Sequence, residues 1–311
     1  MCRWIAYTGV PVRLEEVVTK PARSLVHQSL HAAQCKTATN GDGFGIGWYG
    51  DREMPGVYRE IAPAWSDQNL LSLCAQLKAQ TFLAHVRAAT VAGTSRDNCH
   101  PFSVGPWLFM HNGQIGEFAK VRRRIESMIP DDLYPHRRGG TDSEAIFLIA
   151  LAAIEHDGPA AAIAQTLARV QDEMSAAGIT APLRFAAALT DGRRLTVFRY
   201  ASDPVPPSVW YRRTGDATVV VSEPLDDNDA GWQALPANHV LETPCAGQAG
   251  ALTIRSMEAV SGLAVFAMPT RHAGTDSPRR APTPRTEPSH EPSHEPAQAR
   301  RHAQPIADPV S

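Results

Sequence analysis

The sequence predicts a mixed α and β fold whose strands pair antiparallel, and three observations favour this class. Stretches of strand formers and of helix formers come in separated groups, without the strict β-α-β alternation of parallel sheets. Asp191-Gly192 lies between two apolar runs, 183–189 and 195–200, as in a tight β-hairpin. Further short strands are predicted between residues 208 and 255, so the second half of the domain is expected to be an antiparallel meander.

The first third of the chain is expected to begin with a strand directly after Cys2, because residues 3–7 are strand formers that stop at Thr8-Gly9. Helices are predicted over 21–33 and 67–80, and a strand over 81–87. Residues 40–49 contain four glycines and end in apolar residues, which is typical of a loop entering a strand where another backbone or a ligand approaches closely. Because no Lys-Ser or Lys-Thr follows, this is not a phosphate-binding loop.

The middle of the chain is predicted to contain a strand over 107–111, ending at Asn112-Gly113, and a helix over 115–129. Thr141, followed three residues later by Glu144, forms a capping-box pattern that begins a long helix through Glu155. Gly158-Pro159 separates that helix from another over 160–177. The strands over 81–87 and 107–111 both end in polar residues, and strand ends commonly present such groups to a ligand.

The 311 residues, with 43% hydrophobic content, are enough for one large domain, predicted over residues 2–268. From about residue 270 the composition changes to Pro, Arg, Glu, Ser and His, with a near-repeat at 287–296. Such a segment has too few apolar side chains to offset the entropy lost on ordering. Residues 269–311 are therefore expected to form a disordered tail.

The charge and cysteine content exclude several classes of function. A net charge of −2 gives no reason to expect a nucleic-acid or membrane partner. No signal-peptide pattern and no run of about 20 apolar residues is found, so the cytoplasm is the expected location. The five cysteines are odd in number and form no C-x-x-C pair. They indicate neither a disulfide framework nor a zinc site, and no metal or cofactor is expected.

Cys2 is the first candidate catalytic residue. If Met1 is removed, one amino acid carries both a thiol and a free α-amine, with ordinary pKa values of about 8.5 and roughly 7.7–8.0. The amine can then accept the thiol proton, directly or through one water, and no histidine is needed. Taken alone the signal is weak, because a cysteine at position two is usually just a small residue after the start.

Other candidates each have an ordinary structural explanation when taken alone. Arg87 is typical of a strand end, Asp142 of a helix N-terminus, and Asn112-Gly113 of a two-residue hairpin turn. His100 and His111 are candidates for a catalytic Cys–His dyad with Cys2. Such a dyad would be redundant, because an N-terminal amine can already accept the thiol proton.

Six motifs, taken in order, resemble those of the class II glutamine amidotransferases. They are Met-Cys-Arg at the start, Asn-Gly-Asp-Gly-Phe-Gly at 40–45, His-Val-Arg-Ala-Ala-Thr at 85–90, His-Asn-Gly at 111–113, Gly-Thr-Asp-Ser-Glu at 140–144 and Ser-Glu-Pro-Leu-Asp at 222–226. The resemblance covers about residues 2–255. More narrowly, the chain looks like the small stand-alone bacterial members of this class, which include the ergothioneine-pathway amidohydrolase. It implies an α+β fold of the N-terminal-nucleophile hydrolase type, a four-layer α/β/β/α sandwich with two stacked antiparallel sheets.

The resemblance also implies a role for each candidate. Cys2 would attack the side-chain amide of a γ-glutamyl substrate to form a thioester. Asn112, through its side-chain amide, and Gly113, through its backbone N–H, would stabilise the developing oxyanion. Arg87 would bind the substrate α-carboxylate and Asp142 its α-ammonium, while Thr90 matches a position near the carboxylate.

Three functions are compatible with these residues. The leading hypothesis is an amidohydrolase that cleaves glutamine or a related γ-amide and passes ammonia to a partner enzyme. The second keeps the chemistry but acts on a γ-glutamyl metabolite, as in the ergothioneine pathway. The third is a non-catalytic module that binds γ-glutamyl ligands for regulation. All three expect a small-molecule γ-glutamyl ligand.

Overall fold

The computed structural model describes residues 2–30, 39–89, 93–228, 231–263 and 266, and in this part of the chain the strands form two sheets. The strands are β1 (Arg3–Arg13), β2 (Phe44–Tyr49), β3 (Gly56–Glu60), β4 (Lys78–Val86), β5 (Phe102–Val104), β6 (Trp107–Ile115), β7 (Leu183–Thr190), β8 (Arg194–Ala201), β9 (Trp210–Thr214), β10 (Ala217–Val221), β11 (Gln233–Ala234), β12 (His239–Pro244) and β13 (Thr253–Ser256). The helices are α1 (Glu15–Val18), α2 (Leu25–Leu30), α3 (Gln68–Gln76), α4 (Phe118–Glu126), α5 (Asp142–Ala176) and α6 (Met257–Ser261).

Both sheets are antiparallel throughout the described strands. Sheet A has the order β11-β9-β10-β1-β4-β2-β3, and sheet B has the order β13-β12-β8-β7-β6-β5. β1 lies in the middle of sheet A, where Arg3 is opposite Val86 of β4 and Ile5 is opposite Val221 of β10. The strand that follows Cys2 is therefore paired along both edges.

The space between the sheets is filled by one apolar cluster to which both sheets contribute. Trp4 and Ala6 enter it from β1, and Leu108 and Met110 enter it from β6. Neighbouring residues such as Ile5 belong to a different cluster on the outer face of sheet A. This alternation follows from the two-residue period of a strand, which directs successive side chains to opposite faces.

Helices cover the two outer faces. Buried residues of α1, α2 and α3 pack on the outer face of sheet A. Buried residues of α4, α5 and α6 pack on the outer face of sheet B. The predicted α+β fold with two stacked antiparallel sheets between helices is confirmed.

The long helix α5 is part of the core. It is interrupted at Gly158, before Pro159, so two helical segments meet in a kink where the sequence predicts two helices. By length and composition, α5 is the one helix among the described residues that could cross a membrane. Half of its apolar window, however, is buried, and the buried residues pack against sheet B. We therefore interpret it as a core helix.

Several boundaries differ from the sequence prediction. β1 continues to Arg13, past the expected stop at Thr8-Gly9, because an irregular pairing between Thr8 and Val12 keeps it in the sheet. α3 ends at Gln76, so β4 begins earlier than predicted. Residues 269–311 lie outside the described part of the chain, and the domain boundary at 268 stays a prediction.

Candidate active site

Cys2 lies immediately before β1 and contacts the backbone that follows β4. The Ala88 N–H donates to the Cys2 Sγ at 3.4 Å, and Sγ is 3.6 Å from the Ala88 carbonyl oxygen. By strand alternation, its side chain is on the same face as Trp4 and Ala6, toward sheet B. The thiol of this partly buried residue is therefore held at the end of the neighbouring strand.

A cavity of about 40 Å³ opens beside the thiol. Its walls come from residues just before β1, just after β4, within β6 and at the start of α5, together with one residue before β5: Cys2, Arg87, Ala88, Ala89, His100, His111, Gly113, Thr141, Asp142 and Ser143. Four residues that the sequence predicts for the site, Cys2, Arg87, Gly113 and Asp142, therefore share one cavity.

Arg87 is buried at the end of β4 and is tied to the glycine-rich loop. The backbone N–H of Arg87 donates to the Gly43 carbonyl oxygen at 2.8 Å, and the Asp42 backbone N–H donates to the Arg87 carbonyl oxygen at 3.1 Å. The Asp42 carboxylate also accepts a hydrogen bond from the Ala89 N–H at 2.7 Å. The loop thus fixes the backbone against which the Cys2 thiol lies.

Asn112 and Gly113 lie inside β6 and not at a turn, since they pair with Ala186 and Phe185 of β7. The ordinary explanation of Asn-Gly as a hairpin turn is therefore wrong here. A Cβ at Gly113 would lie 1.9 Å from the Arg184 carbonyl oxygen, so this close approach requires glycine.

The side chain of Asn112 is only 1% exposed, yet neither its Oδ1 nor its Nδ2 has a hydrogen-bond partner among the described residues. Leaving such a group buried and unpaired costs about 1–3 kcal/mol. Such an exception requires an explanation, and a catalytic role is one of the known explanations. Its neighbours in β6, His111 and Gly113, line the Cys2 cavity.

Asp142 is held at another edge of the cavity, at the start of α5. Its Oδ2 accepts a hydrogen bond from the Ile115 N–H at 2.7 Å, and its Oδ1 accepts one from the Ser143 N–H at 2.8 Å. Thr141 caps the helix, because its Oγ1 accepts a hydrogen bond from the Glu144 N–H at 3.2 Å. The carboxylate is therefore fixed in direction relative to β6.

His111 also lines the cavity, but both of its ring nitrogens have other partners. Nδ1 lies 2.8 Å from the Ser143 Oγ, and Nε2 lies 3.3 Å from the Arg184 carbonyl oxygen. Burial lowers the pKa of His111, although the nearby Asp142 carboxylate acts in the opposite direction. Because both ring nitrogens have these partners, His111 is not expected to act as the base for the Cys2 thiol.

His85 and His100 form a buried pair behind the cavity, with the His85 Nε2 2.9 Å from the His100 Nδ1. Burial lowers the pKa of His85 to about 3. It also lowers the pKa of His100 well below its ordinary value, and the adjacent His85 adds to this effect. Both rings are therefore neutral near pH 7.

These depressed histidine pKa values predict an acid-sensitive stability. Below about pH 6.5 the unfolded chain binds protons that the folded chain excludes, so the free energy of unfolding falls by about 1.4 kcal/mol per pH unit for each such histidine. The contribution of His85 is complete above pH 6.5 and is lost as the pH falls toward about 3. Urea unfolding between pH 5 and 6.5 measures this slope.

The variant His85→Gln is expected to reduce that slope by about 1.4 kcal/mol per pH unit. The same substitution at the exposed His156 serves as the matched control. A free energy of unfolding that does not change between pH 5 and 6.5 in the wild type would contradict the prediction.

A comparison with known families identifies the family of the chain. The family model described as glutamine amidotransferases class-II matches residues 16–206. The chain belongs to the class II glutamine amidotransferases. The resemblance drawn from the six motifs is thereby confirmed, and the family consists of hydrolases and amidotransferases.

Relatives of this class II glutamine amidotransferase cover most of its length. The probable glutamine amidotransferase DUG3 of Saccharomyces cerevisiae is 31% identical over 289 residues, covering 78% of this chain and 81% of its own. The gamma-glutamyl-hercynylcysteine sulfoxide hydrolase of Mycolicibacterium smegmatis is 30% identical over 244 residues, covering 78% of this chain and 95% of its own.

A solved structure agrees with this assignment. The glutamine aminotransferase class-II domain protein of Silicibacter pomeroyi is 36% identical, with a TM-score of 0.64, and covers 82% of this chain and 99% of its own. The glutamine phosphoribosylpyrophosphate amidotransferase of Bacillus subtilis is only 16% identical, with a TM-score of 0.56 over 82% of this chain and 49% of its own. That second likeness bears on the fold alone.

Within this amidotransferase domain, four of the six sequence-predicted site residues line one cavity, and the role of each stays a prediction. Cys2, Arg87, Gly113 and Asp142 line the cavity, and Asn112 lies between two cavity residues of β6. Thr90 lies outside the described residues, so its predicted place near the carboxylate stays a prediction.

Sequence reasoning missed two polar residues of the candidate site. Asp42 fixes the backbone after β4, and Ser143 contacts both His111 and Asp142. Both belong to motifs that carried the family resemblance, at 40–45 and 140–144. The motifs therefore held the signal, but the residue pattern alone does not reveal such contacts.

Proposed function

We propose that the chain is an N-terminal cysteine amidohydrolase that cleaves the γ-amide of glutamine or of a γ-glutamyl compound. The observation that carries this proposal is the cavity that Cys2 shares with Arg87, Gly113 and Asp142. These residues supply a nucleophile, a cation, an N–H donor and an anion around one small volume. The family to which the chain belongs acts through this class of chemistry.

The reaction begins once everything before Cys2 has been removed. The α-amine takes the thiol proton, and the thiolate attacks the amide carbon to form a tetrahedral intermediate. The protonated amine then gives its proton to the leaving ammonia or amine, which leaves a thioester. Water hydrolyses the thioester, frees the γ-carboxylate and restores the thiol. No metal or cofactor is needed for these steps.

The substrate head carries two opposite charges, and the cavity offers a partner for each. The Arg87 guanidinium suits the α-carboxylate, because its planar fork can donate two parallel hydrogen bonds. The Asp142 carboxylate suits the α-ammonium. The buried Asn112 amide and the Gly113 N–H suit the oxyanion of the tetrahedral intermediate.

Two substrate classes fit this site. With glutamine, the product ammonia would pass to a partner enzyme. A γ-glutamyl metabolite is the second candidate, and the naming of the mycobacterial relative as a gamma-glutamyl-hercynylcysteine sulfoxide hydrolase supports it. A cytoplasmic location is part of the proposal.

Two measurements test the proposed function directly. Intact-mass spectrometry of the purified chain is expected to show that Met1 is absent. A panel of glutamine and γ-glutamyl amines is expected to release glutamate from at least one member. A chain that keeps Met1 and hydrolyses no member of the panel would refute the proposal and favour a non-catalytic ligand-binding module.

The variant Arg87→Lys is expected to raise KM about 10–100-fold while changing kcat less, because lysine keeps the charge but loses the bidentate geometry. Steady-state kinetics on the substrate found in the panel measures both constants. Arg96→Lys is the control, since Arg96 is an exposed arginine that is paired with Glu60. An unchanged KM in Arg87→Lys would contradict the assigned carboxylate contact.

A further inference from the structure

The Ser-Glu-Pro-Leu-Asp stretch at 222–226 follows β10 and lies against the first residues of β1. The Trp4 N–H donates to the Ser222 Oγ at 3.0 Å, and the Ser222 N–H donates to the Trp4 carbonyl oxygen at 3.1 Å. These two hydrogen bonds join residues that are 218 positions apart in the chain. The segment therefore holds the beginning of β1 in place.

The next residue of this segment, Glu223, forms a buried ion pair with Arg3. The Arg3 Nε lies 2.9 Å from the Glu223 Oε2, and the two side chains are 0% and 3% exposed. By strand alternation Arg3 is on the outer face of sheet A, with Ile5, and Cys2 is on the inner face. The ion pair thus lies behind the sheet, on the side opposite to the thiol.

Arg3 also holds the backbone of Cys2, because its Nη1 donates to the Cys2 carbonyl oxygen at 3.1 Å. The Ala88 N–H contacts the Cys2 Sγ on the other face. Three heavy-atom groups are attached to the Cys2 Cα: the side chain, the carbonyl group and the amine. When contacts fix the first two, tetrahedral geometry at Cα determines the direction of the third.

We propose that Arg3 and Glu223 are positioning residues, a buried ion pair that holds the Cys2 carbonyl group from behind the sheet and so places the α-amine beside the thiol. This inference rests on the proposed function, in which that amine is the base. Stability alone does not explain the pair, because buried ion pairs are often replaced by apolar residues at no cost in stability. A nucleophile at a chain end needs such support, since chain ends usually fray.

The pair also balances the charge close to the amine, because the guanidinium and the carboxylate compensate each other. Among the described residues, the other charged or titratable side chains near Cys2 include Asp42, Arg87, Cys99, His100, His111 and Asp142. These side chains are the same in all the variants below. A shift in the profile of kcat/KM against pH is therefore caused by the change in the ion pair.

The variant Glu223→Gln tests the charge balance. Without the carboxylate, the positive charge of the Arg3 guanidinium is uncompensated, and a positive charge near an amine lowers the pKa of that amine. The acidic limb of the profile of kcat/KM against pH is expected to move down by about one pH unit. Asp226→Asn is the matched control, because Asp226 is in the same segment but pairs with Arg212. Its profile is expected to match that of the wild type.

A double variant, Arg3→Met with Glu223→Leu, tests positioning without leaving a buried charge unpaired. It is expected to fold, to lower kcat about 10–100-fold and to leave KM unchanged, because misplacement of a catalytic group by about 1 Å has effects of this size. Thermal unfolding checks that the variant is folded. A purely structural pair would leave kcat at the wild-type value.

The outcomes separate this inference from the proposed function. If the wild type keeps Met1 and hydrolyses no γ-glutamyl compound, the proposed function fails first. If the wild type is active, the inference is overturned by a Glu223→Gln profile that does not move or moves upward, or by a folded double variant with unchanged kcat. If Glu223→Gln does not fold, the double variant alone decides.

Discussion

Replacing Cys2 with alanine is expected to lower kcat for γ-glutamyl hydrolysis by a factor of about 10³ or more, because no sulfur remains to form the thioester. The groups proposed to bind substrate stay in place, so KM is expected to change little. Glutamate release measured under steady-state conditions gives both constants. The glutamine analogue 6-diazo-5-oxo-norleucine is expected to label the wild type at Cys2, as seen by peptide mass spectrometry.

Cys99→Ala is the matched control for this prediction. Cys99 is a fully buried cysteine near the cavity, and its Sγ lies 3.5 Å from the carbonyl oxygens of Glu60 and Ser95. Burial raises the pKa of the Cys99 thiol to about 11, so it stays protonated and unreactive at neutral pH. Activity that persists in Cys2→Ala, or a label found on Cys99, would refute the assigned nucleophile.

Asn112→Leu is expected to lower activity without lowering stability. The proposed loss of an oxyanion donor lowers kcat by a factor of about 10²–10³. Because the buried amide has no partner among the described residues, an apolar side chain of the same shape is expected to preserve the free energy of unfolding or to raise it by about 1–3 kcal/mol. Steady-state kinetics and urea unfolding of the same preparation measure the two effects.

Asn98→Leu provides the contrasting case. The Asn98 amide is also buried, but it donates to the Gly93 carbonyl oxygen and accepts from the Gly140 N–H, each at 2.8 Å. Its replacement leaves those groups unpaired and is expected to cost about 1–3 kcal/mol of stability. If Asn112→Leu were destabilised as much as Asn98→Leu, or if it kept its activity, the assignment of the Asn112 amide as an oxyanion donor would be wrong.

Local patterns in the sequence predict much of the secondary structure. The hairpin between β7 and β8 turns at Asp191-Gly192, and the kink of α5 lies at Gly158-Pro159. The four glycines of residues 40–49 also match the close approach predicted there, since a Cβ at Gly45 would lie 2.3 Å from the His100 carbonyl oxygen. These features depend on a few adjacent residues, so a short window contains the necessary information.

Features decided by distant contacts could not be predicted in this way. The second-half strands divide between two sheets, with β9, β10 and β11 in sheet A and the others in sheet B. Strand alternation indicates which residues are buried but not which strand is the neighbour. Asn112-Gly113 has the composition of a turn, yet pairing with β7 keeps it in a strand. Tertiary pairing here overrides a local preference.

At the start of α5, local sequence predicts one contact of the capping-box motif correctly and another wrongly. Thr141 caps the helix as the capping-box pattern predicts. The Glu144 carboxylate instead accepts hydrogen bonds from the N–H groups of Arg138 and Gly139 and pairs with Arg137. The candidate site depends on relations of this kind, and the sequence located its residues through family motifs and not through geometry.

The central position of β1 has a consequence for the order of events during synthesis. Sheet A cannot close until β10, which ends at Val221, has left the ribosome. At about 5–20 residues per second, the first residues wait roughly 10–40 s for that partner. A methionine aminopeptidase can reach the extended chain end during this interval. Removal of Met1, which the proposed mechanism requires, can therefore take place before sheet A is complete, whereas a segment still attached to Cys2 after folding would be joined to the central strand of that sheet.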